Sequence, residues 1–191
     1  MDANRGIELE QRIVLVDLLS SLFLTLPDEA LLESLLTLEW GESDSAGSNE
    51  IAAYIEERRD ADREELLLEL GRDRARLMRG ANNEGMRSAY ESLYSATAAN
   101  ESIGSLNRFY ADAGFALAEG VHDTVDQIGV ERESEALRQG DEAKADEWRE
   151  VRMCFMAQHL GRWVHNYVAD MRTFALTGFY RGVALLIDEA F

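Results

Sequence analysis

Cysteine, proline and lysine each occur once in this chain, at Cys154, Pro27 and Lys144, and each scarcity excludes something. A single cysteine cannot form an intramolecular disulfide and fits a reducing compartment. Set between Met153 and Phe155, Cys154 is expected to be a buried, inert thiol. Lys144 stands between two alanines, so there is no phosphate-binding P-loop, which needs Gly-Lys followed by Ser or Thr. No apolar run approaches the roughly 20 residues that cross a bilayer. The opening MDANRGIELEQR lacks the charged, apolar and small-residue succession of a signal peptide, so the protein is expected to stay in the cytoplasm. Strand-like alternation is missing, as are Asn-Gly or Asp-Gly hairpin signals between such runs, and with them a dinucleotide fingerprint. His122, His159 and His165 are poorly spaced to share a metal, the last two lying about 120° apart around a helix. An enzyme reading has no residues to name, and no cofactor is expected.

What is present is acid. The chain carries 37 Asp and Glu against 19 Lys and Arg, a net charge of −18 in 191 residues. Such a surface stays soluble where salt shortens the Debye length to about 3 Å at 1 M, and it points to a halophile. The same charge argues against nucleic acid as a partner, because phosphate binding needs a basic footprint.

Apolar residues, 46% of the chain, recur at helical intervals. Ile7, Ile13/Val14, Leu18, Leu22 and Leu26 mark a helix over 7–24, and Pro27 with Asp28 starts the next, over 28–38. GESDSAGSN (41–49) is expected to be a flexible loop, and 50–80 a helix broken by GANNEG (80–85). The short aromatic segment 86–96 places Tyr90 and Tyr94 four apart and so on one face. A helix over 121–140 is loosened at Gly129, and a last helix covers 179–191 after Thr177-Gly178. The organising element is MCFMAQHLGRWVHNYVAD (153–170), one core helix whose stripe runs Phe155/Met156, Leu160, Trp163/Val164, Tyr167 and Met171. His159, Arg162, His165 and Asn166 lie beside that stripe. The fold expected is all-α, a single-domain bundle of about eight to ten helices spanning 1–191.

One polar face stands out. In a helix over 121–132, Asp123, Asp126, Gln127 and Glu131 share a sector of about 140°, with Val121, Val125 and Ile128 opposite. Seated carboxylates can hold guanidinium groups by paired, charge-assisted hydrogen bonds. In a chain this acidic the plain alternative is a solvated face.

At this point the sequence resembles a family. DTVDQIGVE (123–131) is similar to the Glu-Pro-x-Asp-His-Ile-x-x-Glu signature of the TorD/DmsD family, cytoplasmic chaperones of Tat-exported molybdenum redox enzymes. SAYESLY (88–94) resembles its Pro-Tyr-Glu-Ser-Val-Tyr segment, FYADAGF (109–115) its Tyr-x-x-x-Gly element and HLGRWVHNYV (159–168) its His-Leu-x-x-Trp-Val-x-x-Phe helix. LFLTLPDEALLESL (22–35) matches the early Leu-Phe…Pro-Asp-Glu junction, while RLMRG (76–80) is a looser echo of Arg-Leu-Phe-x-Gly. The sequence departs from the pattern at Thr124, at Gln127, which removes a titrating histidine, and at Ser134-Glu135, where the family has an apolar pair.

The resemblance implies an all-helical chaperone that binds the twin-arginine leader and apo form of a molybdopterin oxidoreductase. The alternatives are a chaperone of a non-exported nitrate reductase-type subunit and a helical scaffold or regulator without client selectivity. It assigns peptide binding to Tyr90, Glu91, Tyr94, Asp123, Asp126, Gln127, Glu131, His159 and Trp163, and to Leu160 and Arg162 on the same helix. Members occur as monomers or helix-swapped dimers, and some bind guanine nucleotides, for which this chain offers no phosphate loop. Apolar burial should supply most of the affinity, since an exposed ion pair contributes at most about 1 kcal/mol.

Overall fold

Helix starts in this chain are written in side-chain oxygens. In a computed structural model describing residues 3–41, 43–80, 86–94, 99–114 and 125–191, Asp28 accepts from the Leu31 amide at 2.8 Å and Ser45 from Ser48 at 3.0 Å. Asp62 accepts from Glu64 and Glu65, both at 3.0 Å, Asp141 from Lys144 at 3.0 Å, and Thr177 from Tyr180 at 3.2 Å. Each cap satisfies amide donors that the first helical turn leaves unpaired. The result is all-helical: among the described residues there are ten α-helices, one 3-10 turn and no strand.

The helices group into two compact units, each assembled from two chain segments. The first comprises residues up to Leu24 together with Ser95–Arg162. It holds α1 (Ala3–Leu24), α6 (Ala99–Asp112), α7 (Val125–Arg138), α8 (Glu142–Gln158) and the 3-10 turn Leu160–Arg162. Helix α7 packs on α1 and on α8. One apolar cluster joins Leu9, Ala136, Leu137 and Ala145, and another joins Tyr110 and Phe155 with Leu106, Phe109, Val151 and Leu160. Between α7 and α8 the buried Glu133 carboxylate takes the Arg152 guanidinium at 3.2 Å, so a charge that burial would penalise is paired.

The second unit comprises Thr25–Tyr94 and Trp163–Phe191. It holds α2 (Glu29–Thr37), α3 (Ala46–Glu57), α4 (Arg63–Arg79), α5 (Glu91–Tyr94), α9 (Val164–Phe174) and α10 (Gly178–Ala190). Helix α10 is central and buries Phe179, Tyr180, Val183, Ala184 and Ile187. It meets α3 at backbone distance: a Cβ on Gly182 would stand 2.8 Å from the Gly47 carbonyl, and one on Gly47 2.6 Å from the Leu186 amide. The buried Asp73 carboxylate of α4 secures the turn into α10, accepting from the Thr177 amide at 2.8 Å and the Thr177 hydroxyl at 2.7 Å.

Several expectations need correction. The loop expected at 41–49 ends at Ser45, because Gly47 is needed inside α3 for the close approach to α10. The helix expected over 50–80 is two, α3 and α4, separated where Asp62 caps a new start. On α1 the buried face runs Leu9, Val16, Leu19 and Leu22, while Val14 and, after the helix, Leu26 are exposed, at 69% and 63%. Cys154 is exposed, not a core thiol, because α8 turns Phe155 rather than its neighbour inward.

Candidate functional site

The organising helix expected across 153–170 is interrupted. Helix α8 ends where the His159 amide makes its last helical bond to Phe155 at 2.9 Å; the 3-10 turn follows, and α9 opens after Trp163. Gly161 permits the turn. A Cβ there would lie 2.7 Å from the Met156 carbonyl, so the chain turns where only glycine fits. The apolar stripe is accordingly divided: Phe155 and Leu160 serve the first unit, while Val164, Tyr167, Val168 and Met171 are buried in the second.

In the first unit the expected site residues with described side chains differ in burial. His159, expected at an edge, is buried, its ring between Phe109 at 5.4 Å and Phe155 at 5.7 Å. Leu160 is half-buried against Tyr110 and Phe155. Arg162 is exposed and donates to the Gln158 carbonyl at 3.3 Å. Glu131 is exposed on α7. Asp123, and the side chains of Asp126 and Gln127 on α7, lie outside the described residues, so the acidic sector expected there is not described. Of the pair standing where the family has apolar residues, Ser134 is buried and Glu135 exposed.

The second unit gathers the aromatic residues. Tyr94 of α5 lies against Trp163, the residue preceding α9, with ring centroids 6.0 Å apart, and edge-on to Tyr167 at 5.5 Å. Trp163 and Tyr167 are themselves 6.0 Å apart. Such tilted and edge-to-face pairs add about 0.5–1.5 kcal/mol beyond burial. Tyr94 and Tyr167 are buried and Trp163 is partly exposed. Tyr90 does not share a face with Tyr94, because it precedes α5 and is 66% exposed. Glu91 is half-buried, and Leu93, 43% exposed, stands with Tyr90 at the solvent side of this segment.

An arginine organises the same place. The Arg87 guanidinium lies 4.0 Å over the Tyr94 ring, pairs with Asp170 of α9 at 3.2 Å and donates to the Leu93 carbonyl at 2.7 Å. The Tyr94 hydroxyl donates back to the Arg87 carbonyl at 3.1 Å. Burial, reinforced by the Asp170 carboxylate, pushes the Tyr94 phenol up to about 12, so at neutral pH it serves only as a neutral donor and packing surface. Among the described residues no group of acidic, histidine and cysteine side chains could hold a metal ion, and no helix is long and apolar enough to cross a membrane.

Comparison with known families gives one decisive match. The model of the nitrate reductase delta subunit family fits residues 41–169, about two-thirds of the chain. The chain belongs to that family. It is a family of NarJ/TorD-type chaperones that includes redox enzyme maturation proteins, so the resemblance to TorD and DmsD holds at that level. Its members serve the assembly of molybdoenzymes, nitrate reductase among them, and the family is not a catalytic one. No curated protein and no solved structure matches the chain.

The family segments name Tyr94 and Trp163 of the aromatic corner but not the residues that hold them. Arg87, Tyr167 and Asp170 were missed as partners. The spacing contained the signal: Tyr167 and Asp170 follow Trp163 by four and seven residues, the same side of a helix, and Arg87 immediately precedes SAYESLY. Also missed was a concavity of about 440 Å³ between the end of α2 and α3, walled by Leu36, Leu38, Trp40, Ala52 and Ala53 and rimmed by Glu39 and Glu56. The indole of Trp40 is fixed there by donating to the Leu35 carbonyl at 3.0 Å.

Proposed function

We propose that this chain is an assembly chaperone that holds the twin-arginine leader and the cofactor-free form of a molybdopterin oxidoreductase of the DMSO or TMAO reductase type, in the cytoplasm, until the cofactor is inserted. The observation that carries the reading is the aromatic corner of the second unit. The partly exposed Trp163 rests on the buried Tyr94 and Tyr167, and Tyr90 and Leu93 are exposed beside it in sequence. A seated aromatic platform with apolar residues facing water suits an apolar peptide segment, because its side chains lose little entropy on binding. Family membership supplies the client class, and the matched segments 88–94 and 159–168 contain the platform. That the entire chain acts as one chaperone domain is part of the same reading.

A second reading draws on the family's own description: the client is a non-exported nitrate reductase-type catalytic subunit without twin arginines. Capture of the client from cells separates the two. A molybdopterin subunit with a twin-arginine leader, retained through a peptide of that leader alone, supports the first reading. A client lacking such a leader, bound through another segment, supports the second. Equal capture of unrelated proteins would leave only a scaffold without selectivity.

A further inference from the structure

We propose that Tyr94, Asp170 and the Leu93 carbonyl form a cradle for a guanidinium group, which the chain's own Arg87 occupies and which an arginine of the client leader takes over. The inference rests on the leader reading above and adds to it a contact and a competitor. Three kinds of recognition converge on the group in place: an aromatic face at 4.0 Å, a carboxylate at 3.2 Å and a carbonyl at 2.7 Å. A planar, weakly hydrated cation satisfies all three at once, whereas an ammonium cannot lie flat on a ring and donate sideways in the same plane.

The ion pair of the resident arginine lies open to solvent. Its side chain is 48% exposed and the Asp170 side chain 27% exposed, and exposed ion pairs contribute little net stability. It also comes from the segment ahead of α5 rather than from a helix. An incoming arginine followed by apolar residues has more to gain, because Tyr90 and Leu93 lie exposed next to the cradle in sequence. Exchange of one guanidinium for another leaves Asp170 paired at the end as at the start. Arg87 then lowers the apparent affinity for any leader and filters out peptides that bring only one of the two features.

The test uses the full chain and two labelled synthetic peptides, each with a basic pair followed by about ten apolar residues, one pair arginine and the other lysine. Emptying the cradle by Arg87→Gln should tighten twin-arginine binding on the order of threefold to tenfold. It should not change twin-lysine binding, and the gain should vanish in Arg87→Gln/Asp170→Asn. Independently of any variant, the Arg87 side-chain NMR signal of the wild-type protein should move on addition of the arginine peptide and stay in place with the lysine peptide. If Arg87→Gln binds the arginine peptide as well as wild type does, or less well, Arg87 is a brace or a direct contact and the cradle is overturned, while the leader reading stands. A gain shared by both peptides, or an unmoved Arg87 signal in a saturated complex, also overturns it. No binding of the twin-arginine peptide to either protein overturns both.

Discussion

Replacing Asp73 by leucine should be the most damaging single change in the second unit that touches no proposed binding residue. The carboxylate is 1% exposed and accepts from the Thr177 amide at 2.8 Å, the Thr177 hydroxyl at 2.7 Å and the Leu176 amide at 3.1 Å. Leucine keeps the volume but accepts nothing. Leu176 is 65% exposed, so its amide can turn to water, whereas Thr177 is 1% exposed and cannot. Each buried donor left without an acceptor costs about 1–3 kcal/mol. Two such donors, with the loosened cap of α10, put the loss at about 3–5 kcal/mol. For a chain of this length each kcal/mol moves the thermal midpoint by about 2–4 °C, so a fall on the order of 10 °C is expected. Asp73→Asn retains one acceptor oxygen where Thr177 needs it and should cost only about 1–2 kcal/mol. Urea and thermal unfolding followed by circular dichroism measure both. A leucine variant within about 1 kcal/mol of wild type, or less damaging than asparagine, would refute the account of that turn.

Three further outcomes follow. Gly182→Ala drives a methyl group against the Gly47 carbonyl and the Ile51 amide and should cost about 1–3 kcal/mol, whereas Gly71→Ala, with nothing within 4 Å of the added carbon, should stabilise α4 by about 0.5–1 kcal/mol. Paired urea titrations read the difference in sign. In alkali, Tyr94 contributes stability that is complete below the unfolded phenol value near pH 10 and is lost as pH rises through its folded value of about 12; a stability profile flat across that window would contradict its seating. Tyr90→Ala, at an exposed position outside any helix, should leave the unfolding midpoint within about 0.5 kcal/mol while weakening capture of the leader peptide, as anisotropy would show.

Helix content was legible because apolar spacing and caps both survive in sequence: Asp28 and Thr177 open helices where they were expected to. The interruption at 159–163 was not, since Leu160, Trp163 and Tyr167 keep helical spacing across a real break. The turn is one that Gly161 tolerates and a larger residue would not, since an added Cβ would meet the Met156 carbonyl at 2.7 Å, and a lone glycine letter does not announce that. The same break moved His159 into a core that the pattern had placed at an edge. Gly47 read as loop punctuation because a glycine used for helix approach has the same letter as one used for a turn. The family segments name Tyr94 and Trp163, whose rings meet, but not Arg87 and Asp170, because a stacked guanidinium leaves no motif of its own. The acidic sector at 123–131 is the part of the expected site for which Glu131 alone has a described side chain.

Apolar seating, not any one carboxylate, is expected to dominate client capture. Isothermal titration of a twin-arginine leader peptide against wild type, Trp163→Ala and Asp126→Asn decides it. The account predicts a loss of about tenfold or more for Trp163→Ala and a loss of about fivefold or less for Asp126→Asn, shrinking in high salt. A larger loss from Asp126→Asn than from Trp163→Ala would contradict it.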